Sequence, residues 1–131
     1  NGTNTDDATR SSGNGDVFLH MTPDMILDYL GIFVDTTKIS DLTFTANIIL
    51  PEGNYVLRVK NGVLLYQKDT QDTDADVTWT TKRAGLLSIA QKNAENVAAL
   101  IEQEGDETGL TRLMDAVTVT SEYKYFNIIE P

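Results

Sequence analysis

The feature that most constrains the fold is an Asn-Gly dipeptide at residues 61 and 62, which stands between two runs of strand character, YVLRVK and VLLYQK. Asn-Gly suits both central positions of a type I′ turn and is the strongest short-range signal of a β-hairpin. Pairing across this two-residue loop sets Lys60 opposite Val63, Val59 opposite Leu64, and Leu57 opposite Tyr66. The core face of the predicted hairpin is then formed by Tyr55, Leu57, Val59, Leu64 and Tyr66.

Periodic segments on both sides of the hairpin predict the remaining elements. The alternation in LTFTANIIL (42–50) and in DVTWT (76–80) predicts two more strands. A first helix is predicted in TPDMILDYLGIFV, with Thr22 as its N-cap and Pro23 at its first position. KRAGLLSIAQ (82–91) predicts a second helix, and NAENVAALIEQEGD predicts a short helix whose end can continue as a strand. An amphipathic helix is predicted after Asp106, ended by the β-branched run VTVT.

The order of these elements indicates the fold class. Strands bunched between helices, without β-α-β alternation, favour an α+β domain with a mainly antiparallel sheet covered by helices on one face. A length of 131 residues fits one domain. Residues 1–16 are almost free of apolar side chains and are predicted to be a flexible linker or tail, which leaves 17–131 as the single domain.

Composition excludes several classes of function. The formal net charge of −10 argues against nucleic acid and against anionic membrane surfaces. No apolar run approaches the ~20 residues that span a bilayer. The chain contains no cysteine, which excludes thiolate sites and disulfides. It begins NGTNTDD, without an initiator Met or a signal peptide, so we expect a mature product or a fragment of a longer protein.

Candidate chemistry is sparse. His20 is the only histidine, so a zinc site of several nitrogen ligands is not expected, and none of the common nucleophile or phosphate-binding motifs occurs. The acidic run DTQDTDAD is interpreted as a solvated loop. A weak Ca²⁺ site is the alternative, although the run lacks the glycine and the final Glu of an EF-hand. We expect no catalysis, no metal and no cofactor in this chain.

Apolar side chains on the predicted inward faces leave two interpretations open. They form an ordinary packed core, or the helices stand off the sheet and leave a pocket for an aliphatic ligand. In the second case the lining would be Met25, Tyr29, Leu57, Val59, Leu64, Tyr66, Trp79, Leu86, Leu87, Leu113, Met114 and Phe126.

Five segments in fixed order resemble a known family. They are MTPDMILDYLGIFVD, VLRVKNGVLLYQK, DADVTWTTKRAGLLSI, EGD at 104–106 and the terminal FNII-P. Together, over residues 17–131, they resemble the C-terminal domain of bacterial alkyl sulfatases. The chain differs at VTVTSEYKY, where such domains commonly run into a regular final helix.

The resemblance implies a sterol-carrier-protein-like fold with a five-stranded sheet covered by helices and a hydrophobic cavity between them. It implies partners upstream in the parent protein, namely a zinc-dependent catalytic domain and a dimerisation domain, and a periplasmic or secreted location. The family's His-x-His-x-Asp-His zinc motif has no counterpart in these residues. The leading hypothesis is therefore a non-catalytic module that binds alkyl chains or lipids. Its rivals are a structural or interaction domain with a filled core, and an independent hydrolase.

Overall fold

The structure is a computed structural model that describes residues 20–118, and in these residues one sheet of five strands is covered by four α-helices. The strands are β1 (Phe44–Leu50), β2 (Gly53–Lys60), β3 (Val63–Lys68), β4 (Val77–Thr80) and β5 (Glu102–Gly105). Their spatial order is β3-β2-β1-β4-β5, with β1 and β4 parallel and the other three pairs antiparallel. The helices are α1 (Pro23–Phe33), α2 (Arg83–Ala90), α3 (Ala94–Leu100) and α4 (Thr108–Ala116). The predicted α+β class with a mainly antiparallel sheet is confirmed, while the proposed linker 1–16 lies outside the described residues.

The hairpin has the predicted turn and register. Asn61 and Gly62 both have positive φ angles, 54° and 76°, as a type I′ turn requires. The cross-strand pairs Lys60–Val63, Val59–Leu64 and Leu57–Tyr66 are those expected from a two-residue loop. One face of β2 therefore packs in the core.

Helix α1 begins as predicted, but its buried face is centred one residue away from the predicted one, so that Met25 is not part of it. The Thr22 hydroxyl accepts a hydrogen bond from the Met25 backbone N–H at 3.2 Å, which is the predicted N-cap. The core stripe is formed by Ile26, Leu27 and Leu30, all at most 1% exposed. The inward orientation expected for Met25 is wrong, since its side chain is 48% exposed. A helix rotates about 100° per residue, so a stripe centred on Ile26 and Leu30 leaves Met25 at the solvent border.

The acidic loop between β3 and β4 covers part of the outer face of the sheet. The Asn47 side chain donates to the Asp72 backbone oxygen at 2.9 Å and accepts from its N–H at 2.8 Å, as a neighbouring strand would. The Arg58 guanidinium pairs with the Asp72 carboxylate at 3.0 Å. Val56, which points to this face, is fully buried as a result. The acidic run predicts a solvated loop, but the loop is partly packed against the sheet.

Close helix packing seals the other face. Gly109 at the start of α4 lies so near the Phe44 ring that a Cβ there would stand 2.8 Å from ring carbons. Gly85 in α2 approaches Thr81 even more closely. These two glycines bring both helices down onto the β1–β4 half of the sheet, where the centre of the core lies.

Candidate functional site

Ten of the twelve residues predicted to line a cavity belong to the hydrophobic core of the described structure or pack against it. Tyr29, Leu57, Val59, Trp79, Leu86 and Leu113 are buried in one cluster, and Leu64, Tyr66, Leu87 and Met114 pack against it. Met25 lies outside this cluster, and Phe126 is outside the described residues. The structure therefore brings ten of the predicted residues together on the helix-covered face.

Trp79 stands at the centre of this cluster. Its side chain is completely buried, and its ring centroid lies 6.3 Å from that of Phe44, tilted by 46°. β4 carries Trp79 on the same face as Val77, and β1 carries Phe44 and Ile48 beside them. Aromatic rings at this distance and tilt pack favourably, which makes the β1–β4 junction a rigid floor for the helices above.

A groove of about 390 Å³ lies at the edge of this core, between α3, β5 and α4. Its volume falls at the lower end of the range that small-molecule sites occupy. The apolar floor includes Val97, Ile101 and Leu110, each at most 7% exposed. The full lining is Ala94, Val97, Ala98, Ile101, Gln103, Glu107, Leu110, Thr111 and Met114. Met114 is the one predicted cavity residue that takes part.

Local sequence signals position the walls of the groove. Asn93 caps α3 by accepting a hydrogen bond from the Asn96 N–H at 3.1 Å. The helix ends at Leu100, and the chain continues as β5, which places Ile101 and Gln103 on one side by strand alternation. In α4, Leu110 and Met114 are four residues apart and thus share one face.

The start of α4 is held by Asp106. Its carboxylate accepts from the Thr108 hydroxyl at 2.7 Å and from the Thr108 N–H at 3.0 Å. These two hydrogen bonds hold the pKa of the Asp106 carboxyl below its usual range. Asp106 belongs to the EGD segment. Gly105 in the same segment allows a close approach of β5 to β4, because a Cβ there would clash with the Asp76 backbone oxygen.

Two polar atoms of the β4–β5 pair have no hydrogen-bond partner among the described residues. They are the indole Nε1 of Trp79 and the side-chain Oε1 of Gln103, and both are buried. Trp79 and Gln103 are direct cross-strand partners in the β4–β5 pair. Buried polar groups without partners are uncommon in native structures. Of this pair, only Gln103 lines the groove.

A second polar cluster joins α1 to the hairpin at the other end of the sheet. The Tyr55 hydroxyl donates to Asp24, and the Tyr66 hydroxyl donates to Asp28 at 2.9 Å. Burial and the hydrogen bond to Asp24 raise the pKa of Tyr55 above its ordinary value. Burial and the bond to Asp28 raise the pKa of Tyr66 to about 12. Both groups are kept protonated, so they act as hydrogen-bond donors rather than as bases.

The described residues hold little that could perform catalysis or bind a metal. Within residues 20–118 no group of three or more His, Asp or Glu side chains is arranged to hold a metal ion. No helix in the same range is long and apolar enough to cross a membrane.

Sequence reasoning missed the groove because its walls come from three short elements. In the sequence, Val97, Ala98, Ile101 and Leu110 show only the spacing of apolar positions on helices, which does not indicate a groove. Gln103 carried one available signal: it continues the alternation from Ile101 and is therefore a polar residue on an inward face.

The architecture agrees with what comparison with known proteins shows. The family model described as alkyl sulfatase C-terminal matches residues 11–131. The chain therefore belongs to the family of alkyl sulfatase C-terminal domains, as the resemblance of its motifs had predicted.

Both the sequence and the structure of the chain are similar to those of a secondary alkyl sulfatase from Pseudomonas. The chain is 28% identical over 127 residues to an (R)-specific secondary-alkylsulfatase, an alignment that covers 92% of this chain and 19% of the relative. It also superposes on the stereoselective inverting sec-alkylsulfatase with a TM-score of 0.68 and 25% identity, covering 76% of this chain and 17% of that one. The chain thus spans about a fifth of the relatives it matches.

The predicted sterol-carrier-like fold is confirmed as well. The palmitated form of SCP2L2, a sterol carrier protein 2-like protein from Aedes aegypti, superposes with a TM-score of 0.51 at 18% identity. This likeness covers 72% of this chain and 93% of the other, and it shows the fold alone.

Proposed function

We propose that this chain is a non-catalytic module that binds aliphatic chains and recruits or holds amphiphilic ligands for an alkyl sulfatase-like hydrolase. The observation that carries the proposal is the groove between α3, β5 and α4, with its apolar floor of Val97, Ile101 and Leu110. Membership of the alkyl sulfatase C-terminal family supports it. The upstream catalytic and dimerisation domains of such an enzyme are the proposed protein partners.

The fold is suited to this role. A protein of the same fold, SCP2L2, is known in a palmitated form, so this architecture accommodates an acyl chain in at least one case. In the present chain, six of the nine residues that line the groove are apolar, and Ala94 and Ala98 are exposed at its border. An alkyl chain that enters there exchanges water for apolar contacts, which is favourable in proportion to the area buried.

The first test is a series of ligands that differ only in chain length. Each methylene group that is buried contributes ~0.8 kcal/mol, so affinity rises about fourfold per carbon until the groove is full. Alkyl sulfates and fatty acids from octyl to dodecyl are titrated below their micellar concentrations. Trp79 is the only tryptophan and neighbours the groove through Gln103, so its fluorescence reports binding.

A pair of variants on α3 locates the site. Ala98 lines the groove and Ala99 does not, and both are exposed, so a bulky side chain is tolerated at either position. Ala98→Phe displaces roughly two methylene groups of ligand and lowers affinity about fifteenfold. Ala99→Phe is the matched control and leaves affinity unchanged. Affinity that does not depend on chain length, or equal effects of the two variants, would refute the proposal.

A structural or interaction module is the second candidate, favoured by the apolar surface of the edge strand β3. Leu65 and Val63 are 65% and 50% exposed there, next to unpaired backbone groups. In that case the groove has no ligand, and contact with the remainder of a larger enzyme covers β3. Absence of binding in the chain-length series, together with protection of β3 amides from hydrogen exchange in the parent enzyme, would favour this second function.

A further inference from the structure

The groove between α3, β5 and α4 has a charged border as well as an apolar floor. Glu107 is the only charged residue among the nine that line it, and neither Lys nor Arg is present. Glu107 is exposed, and it forms no ion pair with another described residue. Its carboxylate is therefore available to a ligand that lies in the groove.

The basic residues nearest to the groove along the chain make contacts elsewhere. Lys92 precedes α3, and its ammonium group donates to the Asp115 backbone oxygen at 3.2 Å. This contact lies at the end of α4, whereas Glu107 lies at its start, ~13 Å away for nine residues of helix. Arg112 in α4 pairs with the Asp41 carboxylate at 2.6 Å. Neither cation neutralises Glu107.

The segment that leads to Glu107 adds further negative charge. Glu104 and Asp106 are exposed as well, and neither forms an ion pair within residues 20–118. Four consecutive residues thus carry three carboxylates, over at most ~10 Å of chain. The Debye length is also ~10 Å at 0.1 M salt, so the three charges act together at this border of the groove. They repel an anion and attract a cation.

An apolar floor beside uncompensated carboxylates is complementary to one class of ligand. We propose that the groove preferentially binds aliphatic cations, in which an alkyl chain ends in an ammonium group. The chain lies over Val97, Ile101 and Leu110, and the cation lies next to Glu107. This inference rests on the proposed binding of aliphatic chains and names the head group that the site favours. Alkyl sulfates and fatty acids are then held by their chains alone, against the charge of the border.

The experiment compares three ligands with the same decyl chain on the unmodified 131-residue protein. Decyltrimethylammonium, decanol and decyl sulfate are titrated by isothermal calorimetry, below their micellar and solubility limits. Two unit charges ~4 Å apart in water change an equilibrium constant about fivefold, so the cation should bind at least fivefold more tightly than the sulfate. The difference should be largest at ~0.01 M salt and mostly lost at ~1 M, where the Debye length is ~3 Å.

A variant at the border of the groove locates the effect. Glu107→Gln removes the charge and keeps the size of the side chain, and Glu107 makes no capping hydrogen bond that α4 would lose. The affinity of the cation should fall about fivefold and that of the sulfate should rise by a similar factor. The affinity of decanol, which has no charge, should change little.

Asp69→Asn is the matched control, because it removes the same charge far from the groove. Asp69 follows β3 at the opposite edge of the sheet, four strand spacings or ~19 Å from β5. Its φ of 63° is tolerated by Asn, so the backbone is undisturbed. All three affinities should stay as they are in the unmodified protein.

The possible failures are separable. If decyl sulfate binds as tightly as decyltrimethylammonium at low salt, the preference for cations is overturned while the binding of aliphatic chains stands. If Glu107→Gln and Asp69→Asn change the affinities equally, the net charge of the whole protein is responsible and the cation does not lie at Glu107. If none of the three ligands binds, the proposed function itself fails.

Discussion

Gly85 shows how one missing side chain determines the approach of a helix to the sheet. A Cβ at this position would clash with the Thr81 hydroxyl oxygen and stand 3.1 Å from Ile101. Thr81 cannot easily turn away, because its hydroxyl donates to the Leu100 backbone oxygen at 2.8 Å. At Gly85, α2 therefore packs closely against Thr81, which follows β4, and against Ile101, which precedes β5 and lines the groove.

The first stability prediction reverses the usual rule for helices. Alanine inside a helix is favoured over glycine by ~1 kcal/mol. Gly85→Ala should nonetheless lower the free energy of unfolding by about 2 kcal/mol, because the added methyl group overpacks the contact. Gly31→Ala is the control: Gly31 is exposed in α1, and its nearest contact to a Cβ is 3.7 Å away, so the variant should be up to ~1 kcal/mol more stable. Urea unfolding of both variants measures this, and a shift in the same direction for both would contradict it.

At the scale of elements, local chemistry explains what the sequence predicted. The Asn61-Gly62 turn, the Thr22 cap and the end of α4 before VTVT depend on residues within a few positions of each other, and all three are found as expected. The docking of the acidic loop onto Asn47 depends on residues 25 positions apart and has no periodic signature. The groove likewise arises where α3, β5 and α4 meet, which alternation within any single element does not reveal.

The orientation of α1 illustrates the same limit. Its apolar positions cover more than one face, and Met25 and Ile32 differ little in type from Ile26 and Leu30. Contact with the sheet decides between them, and Ile32 is left 73% exposed. The pattern predicts that a helix forms and is amphipathic, but its rotation to within one residue depends on the partner surface.

The contact between α1 and the hairpin should be sensitive to alkaline pH. In the unfolded chain a tyrosine ionises near pH 10, whereas Tyr66 in the folded state has a pKa of about 12 and Tyr55 is also raised. Below pH 10 both states are protonated and this contribution to stability is intact. Between pH 10 and 12 the unfolded state loses its proton first, so the free energy of unfolding falls as pH rises.

The measurement for this second stability prediction is urea unfolding at pH 8 and at several values up to pH 11.5. Tyr66→Phe removes the hydroxyl that donates to Asp28, which should cost about 1 kcal/mol at pH 8. The same variant should lose less stability than the unmodified chain on going to high pH. Identical pH profiles for the two proteins would show that Tyr66 is not held protonated by the fold.

For the whole molecule the dominant property is negative charge. The chain of 131 residues has twenty acidic and ten basic residues, which gives a net charge of −10. Like charges repel more strongly in the compact state than in the extended one, which lowers stability at low salt. The local concentration is high on β5 and the turn after it, where Glu102, Glu104, Asp106 and Glu107 are all exposed.

The last prediction follows from screening of this repulsion. The Debye length is ~30 Å at 0.01 M salt and ~10 Å at 0.1 M, so adding salt over this range removes most of the long-range repulsion. The free energy of unfolding should therefore rise with sodium chloride. Glu104→Lys should raise it by about 0.5 kcal/mol at low salt and flatten the salt dependence, since it replaces one of the clustered acids. Lys60→Glu, at the distant end of the hairpin, should act in the opposite direction. If the free energy of unfolding stays constant or falls between these salt concentrations, the acidic surface is already compensated by local pairing. Charge repulsion would then not limit the stability of this domain.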